Sequence, residues 1–469
     1  PPHVRRLVVL GYVALAIVLA IFWQQLKWRD PFLTVASLAT LALGIWPMLR
    51  WLQRNDASYP IIELLLLTTI PFYALPLLTG HEELRDYPEE ILLKACLVVV
   101  FFQLAGIVGS NFAARGYRPV RRISPPWWIT ELLPESKMQF TAYTALLNTG
   151  WLLLSRFSTD IPPELYGTLR AVFFGIGIIS IFIQGRLWGG GQLKPAFKVL
   201  LWVNLSCQLL LIFTSLLLIT GMSLLLTLGV GYFSVARRVP WLPLALLLPV
   251  IAVLHNGKSA MRILYWEQGE PAPGLVDFPD YFTRWVELGL APPPTQEADE
   301  EKALTYGLMR RASLFQIVCI AIDTIPDHSP FLSGRSYGIL LPQVVPRFLW
   351  PNKPSPHESI KLLSVHLGIL SAEQTETTSI GFGMLTEAYA NFGYVSVVAL
   401  GLTFGWILRR LAVSTVECAT LSPAGLLRIL VLIWCLSAEV TLAIWFSSLY
   451  QACVAIGVPL LAWRSFFRD

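Results

Sequence analysis

The residues best equipped for chemistry lie between Lys258 and Asn391, in and just beyond the one long stretch of this chain that is not dominated by apolar side chains. Cations recur through it at Lys258, Arg262, Arg284, Arg310, Arg311, Arg335, Arg347 and Lys353. Groups of this kind suit an anionic, pyrophosphate-like donor, because its leaving group gains negative charge as the bond breaks and guanidinium holds such oxygens through paired hydrogen bonds. The competing use for each is a salt bridge to one of the fourteen carboxylates of residues 256–380. Lys258 and Arg262 are four apart, so a helix continuing past His255, Asn256 and Gly257 would carry both on one face at a membrane surface. Ordinary snorkelling would place them there equally well.

The densest cluster is YGILLPQVVPRFLWPNKPSPHES, Tyr337 to Ser359, in which five prolines break every helical pattern. We read it as a shaped wall, with Trp350 offering a flat face to a sugar ring and Arg347 and Lys353 offering charge. Glu387, Tyr389 and Asn391 follow in the first turns of an apolar helix. A carboxylate so close to hydrocarbon is costly unless paired, which makes Glu387 either a general base or the partner of Arg347. Tyr389 and Asn391 join Trp350 as candidate sugar contacts. His357 and Glu358 are alternative bases, since histidine titrates in the useful range without a metal. The six cysteines are scattered, with no CxxC pair and no histidine at ligand spacing, so no metal, cofactor or disulfide framework is expected. The loop Gln24 to Asp30 holds a single carboxylate, which favours metal-independent chemistry.

The elements that must position these residues follow from composition. Of 469 residues, 55% are apolar and 14% charged, with a mean hydropathy of +0.60, a balance that excludes a soluble enzyme. The net charge of +5 contains no basic run that would suit nucleic acid. Apolar segments long enough to span as helices recur at 4–24, 32–51, 60–79, 91–111, 138–156, 164–184, 197–218, 220–236, 240–255, 382–408, 425–440 and 442–463. This predicts an all-α polytopic membrane protein of about twelve transmembrane helices. Val4 to Ile21 is too long and too evenly apolar for a cleaved signal peptide and reads as part of the first span.

Arg5 and Arg6, Arg50 and Arg54, Arg115 to Arg122, Arg186 to Lys198, Arg237 and Arg238, Arg409 and Arg410, Arg428, and Arg464 and Arg468 all fall on one side of this alternation. By the positive-inside rule both termini are cytoplasmic. Three regions result: helices one to nine in 1–255, a large periplasmic loop in 256–381, and helices ten to twelve in 382–469. Within the loop, Ala312 to Ile322 is apolar but only 11 residues long, which fits a re-entrant or interfacial helix or a core helix of the external domain.

The runs PRFLWPNKP (346–354) and TSIGFGMLTEAYANFGYVS (378–396), preceded by RRASLFQIVCIAIDTIP and GRSYG, resemble the bacterial oligosaccharide repeat-unit polymerases of the Wzy type. The similarity is concentrated in Lys258 to Arg410, about a third of the chain; the acidic stretch APPPTQEADEEK at 291–302 departs from it. The resemblance implies a GT-C-like helical bundle in the bacterial inner membrane. Its activity would be metal-independent, inverting glycosyl transfer at the periplasmic face, moving a growing O-antigen or exopolysaccharide chain from its undecaprenyl-pyrophosphate anchor onto the next lipid-linked repeat unit. By that analogy Arg311 and Arg347 hold the pyrophosphate, Lys258, Arg262 and Lys353 assist, and Glu387 or His357 deprotonates the acceptor. The partners would be the lipid-linked donor and acceptor, the bilayer, a chain-length regulator and a flippase. An O-antigen ligase is the nearest alternative and a lipid-linked oligosaccharide flippase or transporter a more distant one.

Overall fold

The computed structural model describes residues 2–26, 30–54, 58–115, 137–157, 163–216, 218–291, 313–345, 349–350, 352–376, 379–414, 416, 418–419, 422–437 and 439–466. Among them every regular element is helical. In chain order these are α1 (Pro2–Leu26), α2 (Pro31–Gln53), α3 (Ile61–Thr69), α4 (Leu75–Leu78), α5 (Glu89–Arg115), α6 (Lys137–Phe157), α7 (Pro163–Gly189), α8 (Pro195–Phe213) and α9 (Leu218–Ala236). Then follow α10 (Trp241–Arg262), α11 (Phe278–Leu290), α12 (Leu314–Thr324), α13 (Arg335–Gly338), α14 (Glu358–His366), α15 (Gly383–Ser414), α16 (Pro423–Trp434) and α17 (Leu442–Phe466).

A helix lies at each predicted position, although the one expected at 425–440 ends at Trp434 and the third is interrupted. Eight stretches are long and apolar enough to cross a bilayer: Arg6–Leu26, Pro31–Gln53, Ile61–Leu78, Glu89–Arg115, Val172–Gly189, Pro195–Phe213, Trp241–Lys258 and Gly383–Ser414. The helices at the other four positions, α6, α9, α16 and α17, fall outside that set. The chain is a polytopic membrane protein, all-α as its composition requires.

Two compact units divide the chain, one formed by 1–132 and 312–469 and the other by 133–311. The boundary at 311 falls inside the segment expected as one external loop, whose first part folds with α6 to α10 and whose second part folds with the first and last spans.

In the first unit, Asp30 starts α2 by accepting the amides of Phe32 and Leu33 at 2.8 and 3.0 Å, with Pro31 at the first helical position where no N–H is needed. The third span is α3 and α4 joined by a π-helical turn, Ile70–Ala74, and the missing donors of Pro71 and Pro76 account for the break in regular pairing. α5 and α15 form the central seam. Gly106, Gly109, Gly401 and Gly405 bring the two backbones so close that a methyl on Gly109 would strike the Leu402 carbonyl and one on Gly405 the Gly106 carbonyl. The short apolar helix expected near 312–322 is α12, with Phe315, Val318, Cys319 and Ala321 fully buried against α5, α15 and the π-turn.

The second unit is held by polar side chains inside its helix bundle. Gln184 Nε2 donates to Thr141 O at 2.8 Å, Gln208 Nε2 to Thr149 Oγ1 at 3.0 Å and Thr149 Oγ1 to Asn204 Oδ1 at 2.5 Å. Between apolar surfaces such bonds specify which helices associate. α11 folds back on α10, where Trp285 Nε1 donates to the Leu254 carbonyl at 2.7 Å.

α15 is interrupted at Phe392 (φ −145°, ψ 26°) and Gly393 (φ 62°, ψ −145°). The second conformation is open to glycine and strained for any other residue. Gly393→Ala should therefore destabilise the purified protein by about 1 to 3 kcal/mol, visible as a lowered midpoint of thermal unfolding in detergent; an unchanged midpoint would mean the break is not required.

Candidate functional site

The break in α15 determines what gathers around it. Carbonyls just before it lose the N–H groups that a continuous helix would supply, and buried carbonyls need replacements. Ala390 O accepts Leu332 N at 2.9 Å, Asn391 O accepts Ser333 N at 3.1 Å, and Ala388 O accepts the Ser396 hydroxyl. The segment 331–338 is thereby docked on the broken helix. Asn391, fully buried, completes the joint: its Oδ1 accepts Gly334 N at 3.0 Å, and its Nδ2 donates to Ser336 Oγ and to Glu387 O, each at 2.7 Å.

One turn earlier, Glu387 is also fully buried. Its Oε2 accepts the backbone N–H of Leu442 at 2.6 Å, the first residue of α17. A carboxylate there is stabilised by the unpaired amides and dipole of a helix N-terminus. Its Oε1 is buried without a hydrogen-bond partner among the described residues. Two further ties converge nearby: Gly383 N donates to Glu439 O at 3.0 Å, and the Ser359 and Thr441 hydroxyls lie 2.7 Å apart. Burial pushes the Tyr337 hydroxyl well above its ordinary range, reinforced by the Glu387 charge, so it stays protonated and can only donate to an anion.

An apolar groove of about 570 Å³ opens from this node along α15 and α17, walled by Val395, Leu400, Phe404, Trp445 and Phe446. Tyr337 and Leu442 belong to both node and groove. A chain of hydrocarbon lying in the groove would end beside a buried carboxylate and a protonated phenol.

The predicted site residues distribute unevenly around this geometry. Glu387 and Asn391 are at its centre. Tyr389 is two residues from each, about 200° around the helix from both, and packs away from them, edge-on to Phe331 at 6.3 Å and to Tyr394 at 5.4 Å. Lys353 is buried, and its Nζ donates to Val345 O at 2.6 Å and Gln343 O at 3.4 Å, closing the base of the proline-rich loop. Gln343 Nε2 adds bonds to Ile339 O and Pro354 O at 3.0 and 3.1 Å. Leu349 and Trp350 project from that loop, exposed. His357 is exposed at the start of α14, two residues before the Ser359 that meets Thr441. Arg311 and Arg347 lie outside the described residues. Lys258 and Arg262 belong to the second unit, on the last turns of α10 as their spacing predicted, and Arg262 donates to Leu216 O at 3.1 Å.

Ser336, Tyr337 and Leu442 were not among the predicted site residues. The first two lie in the GRSYG run at 334–338, which was the available signal; nothing in the sequence singles out Leu442. Comparison of the chain with known protein families, with curated proteins and with solved structures finds no match.

Lys353→Met should leave the loop carbonyls without their donor and free the loop, giving faster limited proteolysis between residues 345 and 353 than in wild type; equal rates would show that the ammonium does not hold it. Asn391→Leu should cost about 1 to 3 kcal/mol for each buried group left unpaired, measured by thermal unfolding, and an isoenergetic variant would remove Asn391 from the joint.

Proposed function

We propose that this protein is a Wzy-type polymerase of undecaprenyl-pyrophosphate-linked repeat units, with about twelve spans in a GT-C-like arrangement, cytoplasmic termini and the 256–381 segment on the periplasmic side of the inner membrane. The observation that supports the reading most is the apolar groove lined at one end by Tyr337 and by Leu442, whose amide is bound by the buried Glu387. A polyprenyl chain needs an apolar channel open to lipid, and its pyrophosphate needs donors at the channel's end.

In this reading the acceptor hydroxyl oxygen attacks the donor's anomeric carbon as the bond from that carbon to the pyrophosphate oxygen breaks, and configuration inverts. The electron pair leaves with the pyrophosphate, which Tyr337 caps with its hydroxyl proton and which, by the resemblance alone, Arg311 and Arg347 would neutralise. The acceptor's proton passes to Glu387 Oε1 or to His357. Lys353 contributes by fixing the loop that carries Arg347, and Trp350 provides the exposed ring on which a sugar stacks.

Two tests follow. Deleting the gene in its host should leave anchors and surface acceptors carrying single repeat units. Long lipid-linked chains that never reach an acceptor would mean a ligase instead, and complete units trapped on the cytoplasmic side a flippase. Ala399→Trp, which fills the groove 12 residues from Glu387 in sequence, should reduce polymer length and yield strongly while protein levels persist. Full activity in that variant would remove the groove from the reaction.

A further inference from the structure

Ser336 has no part in the reaction proposed above, yet the joint at the broken helix gives its hydroxyl a fixed direction. It lies in the short α13 and is fully buried. Its Oγ is 2.7 Å from Asn391 Nδ2, and an amide nitrogen only donates, so the serine oxygen is the acceptor there. The other atoms of the amide fix its orientation: Oδ1 accepts the Gly334 N–H at 3.0 Å, and Nδ2 also donates to the Glu387 carbonyl at 2.7 Å. Turned over, Asn391 would set its oxygen against two acceptors and its NH2 against an N–H. The single hydrogen of the Ser336 hydroxyl is thus left to donate, and a buried hydroxyl needs an acceptor. The Glu387 carboxylate supplies it, and among the described residues Ser336 is the one side chain that hydrogen-bonds that group. The Leu442 amide binds Oε2 at 2.6 Å, while the lone pairs of Oε1 are not used by any described residue.

We infer that Ser336 is a positioning residue for Glu387: its hydroxyl, directed by Asn391, holds the carboxylate in the rotation that leaves Oε1 to take the acceptor's proton. A carboxyl group otherwise turns broadly about its last torsion, and fixing it beforehand removes that cost from the reaction. The inference rests on the reading of Glu387 as the base, and it gives the proton to Glu387 rather than to His357, which stands exposed at the start of α14.

The test uses the full chain reconstituted in liposomes with undecaprenyl-pyrophosphate-linked repeat units extracted from the host, reading initial rates of polymer formation. Ser336→Ala should lower kcat about tenfold with KM unchanged. Ser336→Cys, which keeps the packing and a weak donor, should recover part of the loss, and it gives the same comparison where the alanine variant fails to fold. Neither substitution should have a further effect in a Glu387→Gln background, because a residue that acts through Glu387 then has nothing to position. A wild-type kcat in the Ser336 variants, a change in KM alone, or a loss that persists in the Glu387→Gln background would overturn the inference and leave Glu387 as the base. A Glu387→Gln variant as active as wild type would instead remove the base itself, and with it the reading on which the inference rests.

Discussion

A carboxylate with no exposure to water has to be answered by the protein, and the answer to Glu387 organises one end of the first unit. Its Oε2 takes the leading amide of α17, so the last helix begins where that carboxylate is. The break at Phe392 and Gly393 adds the complementary demand, freeing carbonyls that only a neighbouring segment can satisfy. Residues 331–338 fill that role, and Asn391 binds both parts together. Removing the amide of α17 from Glu387 would leave a buried polar group unsatisfied, which costs about 1 to 3 kcal/mol, whereas an exposed pair such as Lys94 with Glu90 contributes little.

The groove is a consequence of the same joint. α15 must run continuously from its break into the close seam with α5, and α17 must start at Glu387; the two helices therefore leave an apolar space between them that Trp445, Phe446 and Phe404 line and do not fill. A membrane protein can keep such a space because hydrocarbon occupies it at no hydrophobic cost. Chemistry confined to one end of it would combine a lipid-held substrate with polar groups whose positions are fixed from several directions.

Much of this was legible in the sequence, for identifiable reasons. Apolar runs near the length of a bilayer marked where the long helices lie, eight of them long and apolar enough to cross it, because in lipid a backbone has few alternatives to the helix. Glu387 and Asn391 stood out since polar groups are expensive at that depth. Their partners were not legible. The amide of Leu442 is 55 residues from Glu387 and is a backbone group, which no side-chain pattern encodes. Lys353, expected to assist at an anion, donates to carbonyls of the proline-rich loop, a contact no side-chain pattern encodes, since a segment without helical pairing leaves carbonyls that need a donor. Tyr389 shares a helix with Glu387 but not a face, a difference that two residues of spacing settle once the segment is helical.

The proposed function places the polyprenyl chain of the substrate in the groove between α15 and α17, with its reacting end near Tyr337 and Glu387. The measurement that tests it most directly places a photo-crosslinking amino acid at Leu400, within the groove, in cells that make the lipid-linked repeat unit, followed by mass spectrometry of the irradiated protein. The account predicts an adduct with a polyprenyl-pyrophosphate lipid, lost when Ala399→Trp is added. Adducts with bulk phospholipid alone would contradict it.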